Sequence, residues 1–113
     1  SCINLSFDLS LQAIGDKMAT IWKYVLEDTD HQFVTMPTRA KVLSVAVQKG
    51  QICLWALVDP DRELADYPVE IYGTGQPGIE IADDMKYCGT VLLYGESIVL
   101  HVFVYQPDFP IPV

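Results

Sequence analysis

Alternating apolar and polar positions run along most of the chain and predict β-strands. In residues 20–27, Ile21, Lys23 and Val25 share one face of such a strand, and Trp22 and its alternate neighbours share the other. Six further runs have strand-like composition and end at Gly, Pro or Asp: residues 32–36, 41–48, 51–58, 67–72, 87–94 and 97–105. The pattern predicts a mainly β fold of about seven strands, either a small antiparallel β-sandwich or an open barrel.

The clearest local signal is Lys49-Gly50, which separates two strand-like runs of equal length. A two-residue connection containing Gly is typical of a tight antiparallel hairpin. Both runs are apolar at odd and even positions, with Leu43, Val45 and Val47 alternating with Val42 and Ala46. We therefore expect this hairpin to be central, or covered on both faces.

Two other connections have recognisable turn chemistry. Gly95-Glu96 separates the last two strand-like runs and predicts a second hairpin. Asp59-Pro60 ends an earlier strand, with Asp59 suited to an N-cap and Pro60 to the first position of a short helical turn.

The pattern divides the chain into three parts. Residues 1–17 lack a clear period and form an N-terminal extension, either a non-native segment before a start at Met18 or an arm that packs on a neighbouring subunit. Residues 18–105 form the β-domain. Residues 106–113 contain three prolines and predict an extended tail.

Composition narrows the classes of partner. The chain has 113 residues, which suits one domain, and a formal net charge of −8. This charge repels nucleic-acid polymers and anionic membranes, although a local cluster of donors can still hold one small anion. The three cysteines lack metal-type spacing and suit free thiols in the cytoplasm, and no apolar run reaches the length of a membrane span.

No catalytic or metal site is recognisable. Residues 59–70 place carboxylates in a pattern similar to a calcium loop, but Leu64 stands where the turn needs Gly and the flanks read as strands. The two histidines, His31 and His101, have no nucleophile motif beside them. We expect a non-enzymatic protein without metal or cofactor.

One set of residues suits a small anionic ligand. The Gly73-Thr74-Gly75 loop could offer backbone N–H groups to a phosphate, although an ordinary turn has the same composition. A ring face from Trp22 or Trp55 could stack on a base, and Arg39 or Lys41 could contact an anion. The candidate ligand-binding set is completed by other strand residues that could line such a pocket, namely Tyr24, Tyr72 and His101. The alternative assigns the aromatic residues to the core and Arg39 to the surface.

Several short segments occur in a characteristic order: residues 21–24 (IWKY), 36–37 (MP), 40–45 (AKVLSV), 54–60 (LWALVDP), 71–75 (IYGTG), 87–90 (YCGT) and 101–103 (HVF). Over about residues 19–104 this set resembles a family of small phage- and prophage-encoded β-rich proteins of unassigned function. The resemblance implies a phage origin and a start near Met18, and it supplies no catalytic residues.

A small acidic phage protein without catalytic residues suggests two functions of different classes. It could sequester a nucleotide-derived immune signal of the infected host, of the cyclic-nucleotide or ADP-ribose type. Alternatively, it could inhibit a host defence protein by binding it. The combination of aromatic residues with a glycine loop favours sequestration, in the host cytoplasm, by a homo-oligomer whose pockets lie between subunits.

Overall fold

The computed structural model describes residues 19–107, which form seven β-strands in two antiparallel sheets. The strands are β1 (Thr20–Leu26), β2 (His31–Pro37), β3 (Lys41–Gln48), β4 (Gln51–Val58), β5 (Leu64–Gly73), β6 (Met85–Leu93) and β7 (Ile98–Tyr105). Sheet A has the strand order β1-β4-β3, and sheet B has the order β2-β5-β7-β6. The predicted mainly β fold is confirmed.

The core lies between the two sheets. Alternate residues of the central strands face each other across it, and they are buried with almost no solvent contact: Ile52, Leu54, Ala56 and Val58 from β4, Val69 and Ile71 from β5, and Val102 and Val104 from β7. Because side chains alternate across a strand, the intervening residues lie on the outer face of each sheet. One continuous apolar core therefore joins the sheets into a sandwich.

Sheets A and B also approach each other along one edge, where β3 lies beside β6. Gly89 in β6 allows this approach, since a Cβ built there would lie 2.8 Å from Cγ2 of Val45 in β3. The strands therefore follow the order β1-β4-β3-β6-β7-β5-β2 around the core, as in an open barrel. Two β-bulges flank this edge, one at Leu43 in β3 and one at Cys88 in β6.

The hairpin predicted at Lys49-Gly50 is present, with Gln48 paired to Gln51 and positive φ at both turn residues. The expectation that both its strands are covered on both faces is wrong for β3, which is an edge strand of sheet A. The bulge at Leu43 shifts the register by one residue. Apolar residues at odd and even positions, such as Val42 and Val45, therefore reach the same inner face.

Two turns differ from their prediction. The Asp59 side chain does accept a hydrogen bond from the Asp61 N–H (3.0 Å), and the Arg62 N–H donates to the Asp59 carbonyl oxygen (3.1 Å), but this single turn does not continue as a helix and β5 begins at Leu64. The last hairpin closes at Leu93 and Ile98, so its connection is four residues, 94–97, and not two. Residues 1–18 and 108–113, which include all of the predicted N-terminal extension and most of the predicted proline-rich tail, lie outside the described part.

Candidate functional site

A groove of about 520 Å³ lies where the first residues of β3 meet β6 and the end of β7. We call it the Arg39 groove. Its lining residues are Arg39, Ala40, Lys41, Val42, Leu43, Lys86, Tyr87, Cys88, Gln106 and Pro107. Both bulged residues belong to this set, because the bulges bend the two strand edges around the groove.

The turn that carries Arg39 is held from inside the protein. The buried Tyr67 hydroxyl donates to the Pro37 carbonyl oxygen (2.7 Å) and accepts from the Ala40 N–H (3.0 Å). Arg39 itself has a φ of 63°, a left-handed conformation that is uncommon for residues other than glycine. Tyr67 therefore fixes a strained turn that places Arg39 in the groove.

Gln106 joins the end of β7 to the start of β3. Its side-chain oxygen accepts from the Val42 N–H (2.9 Å), and its side-chain nitrogen donates to the Ala40 carbonyl oxygen (3.0 Å). Its own N–H donates to the Asp84 carbonyl oxygen (2.8 Å). The side-chain amide of Gln106 thus takes the place of strand pairing between β7 and β3. Because it is bonded to both Ala40 and Val42, it also fixes the position of Lys41 between them.

The Arg39 groove is basic in an acidic protein. Arg39, Lys41 and Lys86 line it, and none of the described lining residues is Asp or Glu. Residues 19–107 contain six Lys and Arg in all, so half of these cations meet at one place. A local concentration of positive charge of this kind attracts anions in spite of a net charge of −8.

Tyr87 supplies an aromatic surface beside these cations. Its side chain is 59% exposed, and its ring packs against Phe103 at a centroid distance of 5.7 Å. Its hydroxyl forms a hydrogen bond with Thr90 Oγ1. A supported, exposed ring next to a cationic cluster can stack on a planar group of a ligand.

Cys88, the neighbouring thiol, is not poised for nucleophilic chemistry. Burial raises its pKa to about 11, and its thiol donates to the Lys86 carbonyl oxygen (3.5 Å). The thiolate is the reactive form of cysteine, so at neutral pH Cys88 acts as a packing residue.

A line of hydrogen bonds connects Tyr87 to the Gly73-Thr74-Gly75 loop. Thr90 Oγ1 lies 3.0 Å from His101 Nδ1, and Thr74 Oγ1 lies 2.7 Å from His101 Nε2. We call Thr74, His101, Thr90 and Tyr87 the hydroxyl row. It crosses the outer face of sheet B from the end of β5 to β6. His101 thus has both ring nitrogens engaged by threonine hydroxyls.

Comparison with known families gives a match over residues 18–111, to a family described as a domain of unknown function, DUF7352. The chain belongs to this DUF7352 family. The match contains the whole Arg39 groove and the whole hydroxyl row. No curated protein and no solved structure matches the chain.

The glycine loop of this DUF7352 domain is a hydrogen-bonded turn. The Gly73 N–H donates to the Gln76 side-chain oxygen (3.0 Å), and the Gln76 N–H donates to the Gly73 carbonyl oxygen (3.1 Å). The Thr74 N–H points to the Val99 carbonyl oxygen (3.4 Å). Asp30 also lies close by, since it accepts from Gln76 at 3.4 Å. Donors already used inside the turn are poor ligands for a phosphate.

The structure does not bring the predicted ligand-binding residues together in one cavity. Arg39 and Lys41 line the groove, whereas neither tryptophan does. Trp22 follows the inward-facing pattern of β1 opposite Ala56 and remains 41% exposed, and Trp55 is half-buried on the outer face of sheet A.

The two tyrosines of the predicted ligand-binding set lie away from the Arg39 groove of this DUF7352 domain. Tyr24 faces the core, and its buried hydroxyl has no hydrogen-bond partner among the described residues. Tyr72 is buried on sheet B, where its hydroxyl donates to Glu70 (2.7 Å). Burial, and then the Glu70 carboxylate, raises the pKa of Tyr72 to about 12.

Sequence reasoning missed Lys86 and Gln106 as site residues. Only the spatial proximity of β6, β7 and β3 brings them to Arg39, and no local pattern in the sequence signals that proximity. Tyr87 is one of several exposed aromatic residues, and its place at the groove sets it apart. Within residues 19–107, no group of His, Cys, Asp or Glu side chains is arranged to hold a metal ion. The same residues contain no helix long and apolar enough to cross a membrane.

Proposed function

We propose that this DUF7352 protein binds a small anionic, nucleotide-like molecule in the Arg39 groove and sequesters it. The observation that carries this proposal is the convergence of Arg39, Lys41 and Lys86 on one groove of an acidic protein. Charge-assisted hydrogen bonds from such groups to phosphate oxygens are among the strongest available to a protein. Arg39 adds a planar fork suited to two oxygens at once.

The groove also suits the rest of a nucleotide. Tyr87 offers an exposed ring for stacking on a base, an interaction worth about 1–3 kcal/mol. The volume of about 520 Å³ falls in the range of small-molecule sites, about 300–1,000 Å³. Three cations match a ligand with two or more negative charges, such as ADP-ribose or a cyclic dinucleotide.

Sequestration requires binding and release of the ligand without any bond being broken. Cys88, the one thiol among the described residues that line the groove, is held protonated by the rise in its pKa. Combined with the resemblance to phage-encoded proteins, this arrangement supports a counter-defence role in the host cytoplasm, where the protein would remove a nucleotide-derived immune signal.

A second candidate function, inhibition of a host defence protein by direct binding, is favoured by a different surface. The outer face of sheet A carries the exposed apolar residues Ile21, Val25 and Leu57. Exposed apolar surface of this kind is also what self-association would use. Light scattering at micromolar concentration, with and without a Val25→Lys substitution, would show whether this face joins copies of the chain.

Calorimetric titration with ADP-ribose and cyclic dinucleotides tests the favoured function. We expect the wild type to bind at least one of these compounds. Lys86→Gln and Lys41→Gln should each weaken binding by about 10- to 150-fold, since a lost charge-assisted hydrogen bond costs about 1.5–3 kcal/mol. Binding should also weaken as the salt concentration rises.

The matched control is Lys23→Gln, which removes an exposed lysine from the outer face of sheet A, where it donates to Gln48 (2.7 Å). This substitution should leave the affinity unchanged. Failure of the wild type to bind any of the nucleotides, or equal losses in Lys23→Gln and Lys86→Gln, would contradict the proposal.

A further inference from the structure

Tyr87 has few direct constraints at the groove. Its side chain is more than half exposed, and its ring has one aromatic neighbour, Phe103, among the described residues. Its hydroxyl is fixed through Thr90, whose own hydroxyl also meets His101 Nδ1 at 3.0 Å. The far side of the His101 ring is fixed in turn by Thr74 at 2.7 Å. The hydroxyl row thus connects Tyr87 to Thr74 at its opposite end.

We infer that Thr74, His101 and Thr90 are positioning residues that hold Tyr87 over the Arg39 groove and thereby set its affinity for the ligand. None of the three lines the groove. The inference rests on the proposed function, because it assigns a role in ligand binding to residues outside the groove. It also gives the Gly73-Thr74-Gly75 turn a function other than contact with a phosphate.

The chemistry of the row explains why each member is needed. A neutral imidazole donates from one nitrogen and accepts at the other, whereas a hydroxyl can do both at once. Thr90 can therefore serve His101 and Tyr87 together, and Thr74 fixes which way the imidazole faces. Such chains polarise each other and act as a unit, so loss of one end is felt at the other.

Rigid placement of Tyr87 favours binding because the ligand then does not have to order the ring. Ordering a mobile side chain on binding costs affinity, and a preformed ring avoids that cost. The strand pairing supports the row, since His101 pairs with Thr90 on β6 and with Tyr72 on β5. Strand pairing thus places Thr90 beside His101, and Thr74 follows the end of β5, where its N–H points to the Val99 carbonyl oxygen (3.4 Å).

The test combines calorimetry with NMR of Tyr87, using ADP-ribose as the probe. We expect Thr90→Val to weaken binding by about three- to tenfold and Thr74→Val by about two- to fivefold. Thr90→Ser, which keeps the hydroxyl, should restore most of the affinity. In a Tyr87→Phe background, Thr90→Val should have no further effect, because the two changes break the same link.

In the ligand-free protein, the ring resonances of Tyr87 should shift in Thr74→Val although the two residues do not touch. The control is Thr35→Val, which removes a hydroxyl bonded to Asp66 (2.6 Å) on the same face of sheet B but outside the row. This control should change neither the affinity nor the Tyr87 resonances.

The outcomes separate the two claims. If the wild type binds the ligand and Thr90→Val binds it with equal affinity, the inference is overturned and the proposed function stands. Absence of wild-type binding to ADP-ribose and to every cyclic dinucleotide overturns the proposed function. The Tyr87 resonances then still decide the positioning, which is overturned if they are unchanged in Thr74→Val.

Discussion

Replacing Tyr67 with Phe tests how the Arg39 turn is held. The substitution removes one hydroxyl and keeps the ring, which is 3% exposed. It breaks two hydrogen bonds, one to the Pro37 carbonyl oxygen and one from the Ala40 N–H. Because Pro37 and Ala40 are both buried, neither group can readily bind water in exchange.

The loss in stability follows from these contacts. A hydrogen bond contributes about 0.5–1.5 kcal/mol net, and leaving a buried partner unsatisfied costs about 1–3 kcal/mol. The Pro37 carbonyl oxygen and the Ala40 N–H would both lose their partner, and relaxation of the turn would offset part of the cost. We therefore expect a loss of about 2–4 kcal/mol in the free energy of unfolding. The turn should also release Arg39 from its left-handed conformation, so affinity for an anionic ligand should fall as well.

Urea unfolding followed by tryptophan fluorescence measures the first effect, read as a lower midpoint at an unchanged slope. The matched control is Tyr94→Phe, which removes an exposed hydroxyl bonded to Asp28 (3.2 Å). This control should cost less than about 0.5 kcal/mol. A Tyr67→Phe protein as stable as the Tyr94→Phe protein would refute the role given to this hydroxyl.

Three further predictions concern residues of sheet B. Gly89→Ala should destabilise the protein, because it places a methyl group 2.8 Å from Val45 Cγ2. Adding Val45→Ala to the same chain should recover part of the lost stability. Equal unfolding midpoints for Gly89→Ala and the wild type would contradict the close approach. The Cys88 thiol, with a pKa of about 11, should react with iodoacetamide at pH 8 far more slowly in the native protein than in urea. For Tyr72, the pKa of about 12 in the folded protein lies above the ordinary tyrosine value of 10.0, so its contribution to stability is present below pH 10 and is lost as the pH rises towards 12. Unfolding midpoints of Tyr72→Phe should therefore fall less steeply than those of the wild type between pH 10 and pH 12.

Local sequence signals predicted most of the strands. The β3–β4 hairpin follows from Lys49-Gly50 alone, because a two-residue turn with positive φ fixes the register of its strands. The failures came where a local pattern had two structural solutions. Apolar residues at odd and even positions in β3 indicated burial of both faces, whereas the bulge at Leu43 brings Val42, Val45 and Val47 to the core and leaves Ala46 exposed.

The candidate site could be predicted only in part. Arg39 and Lys41 were named from their charge, but Lys86 and Gln106 reach them through contacts between strands far apart in the chain. The glycine loop had the composition of an anion site, yet Gln76 and Val99 accept hydrogen bonds from the Gly73 and Thr74 N–H groups. Composition shows which groups are available, and only the fold shows which are already bonded.

The central claim is that the Arg39 groove binds a small anionic nucleotide, and a titration followed by two-dimensional amide NMR tests it most directly. With ADP-ribose or a cyclic dinucleotide that binds in calorimetry, we predict the largest shifts at residues 39–43 and 86–88. Smaller shifts should follow the hydroxyl row to Thr74. Shifts centred on the outer face of sheet A, around Val25 and Trp55, with residues 39–43 and 86–88 unchanged at saturation, would contradict the account.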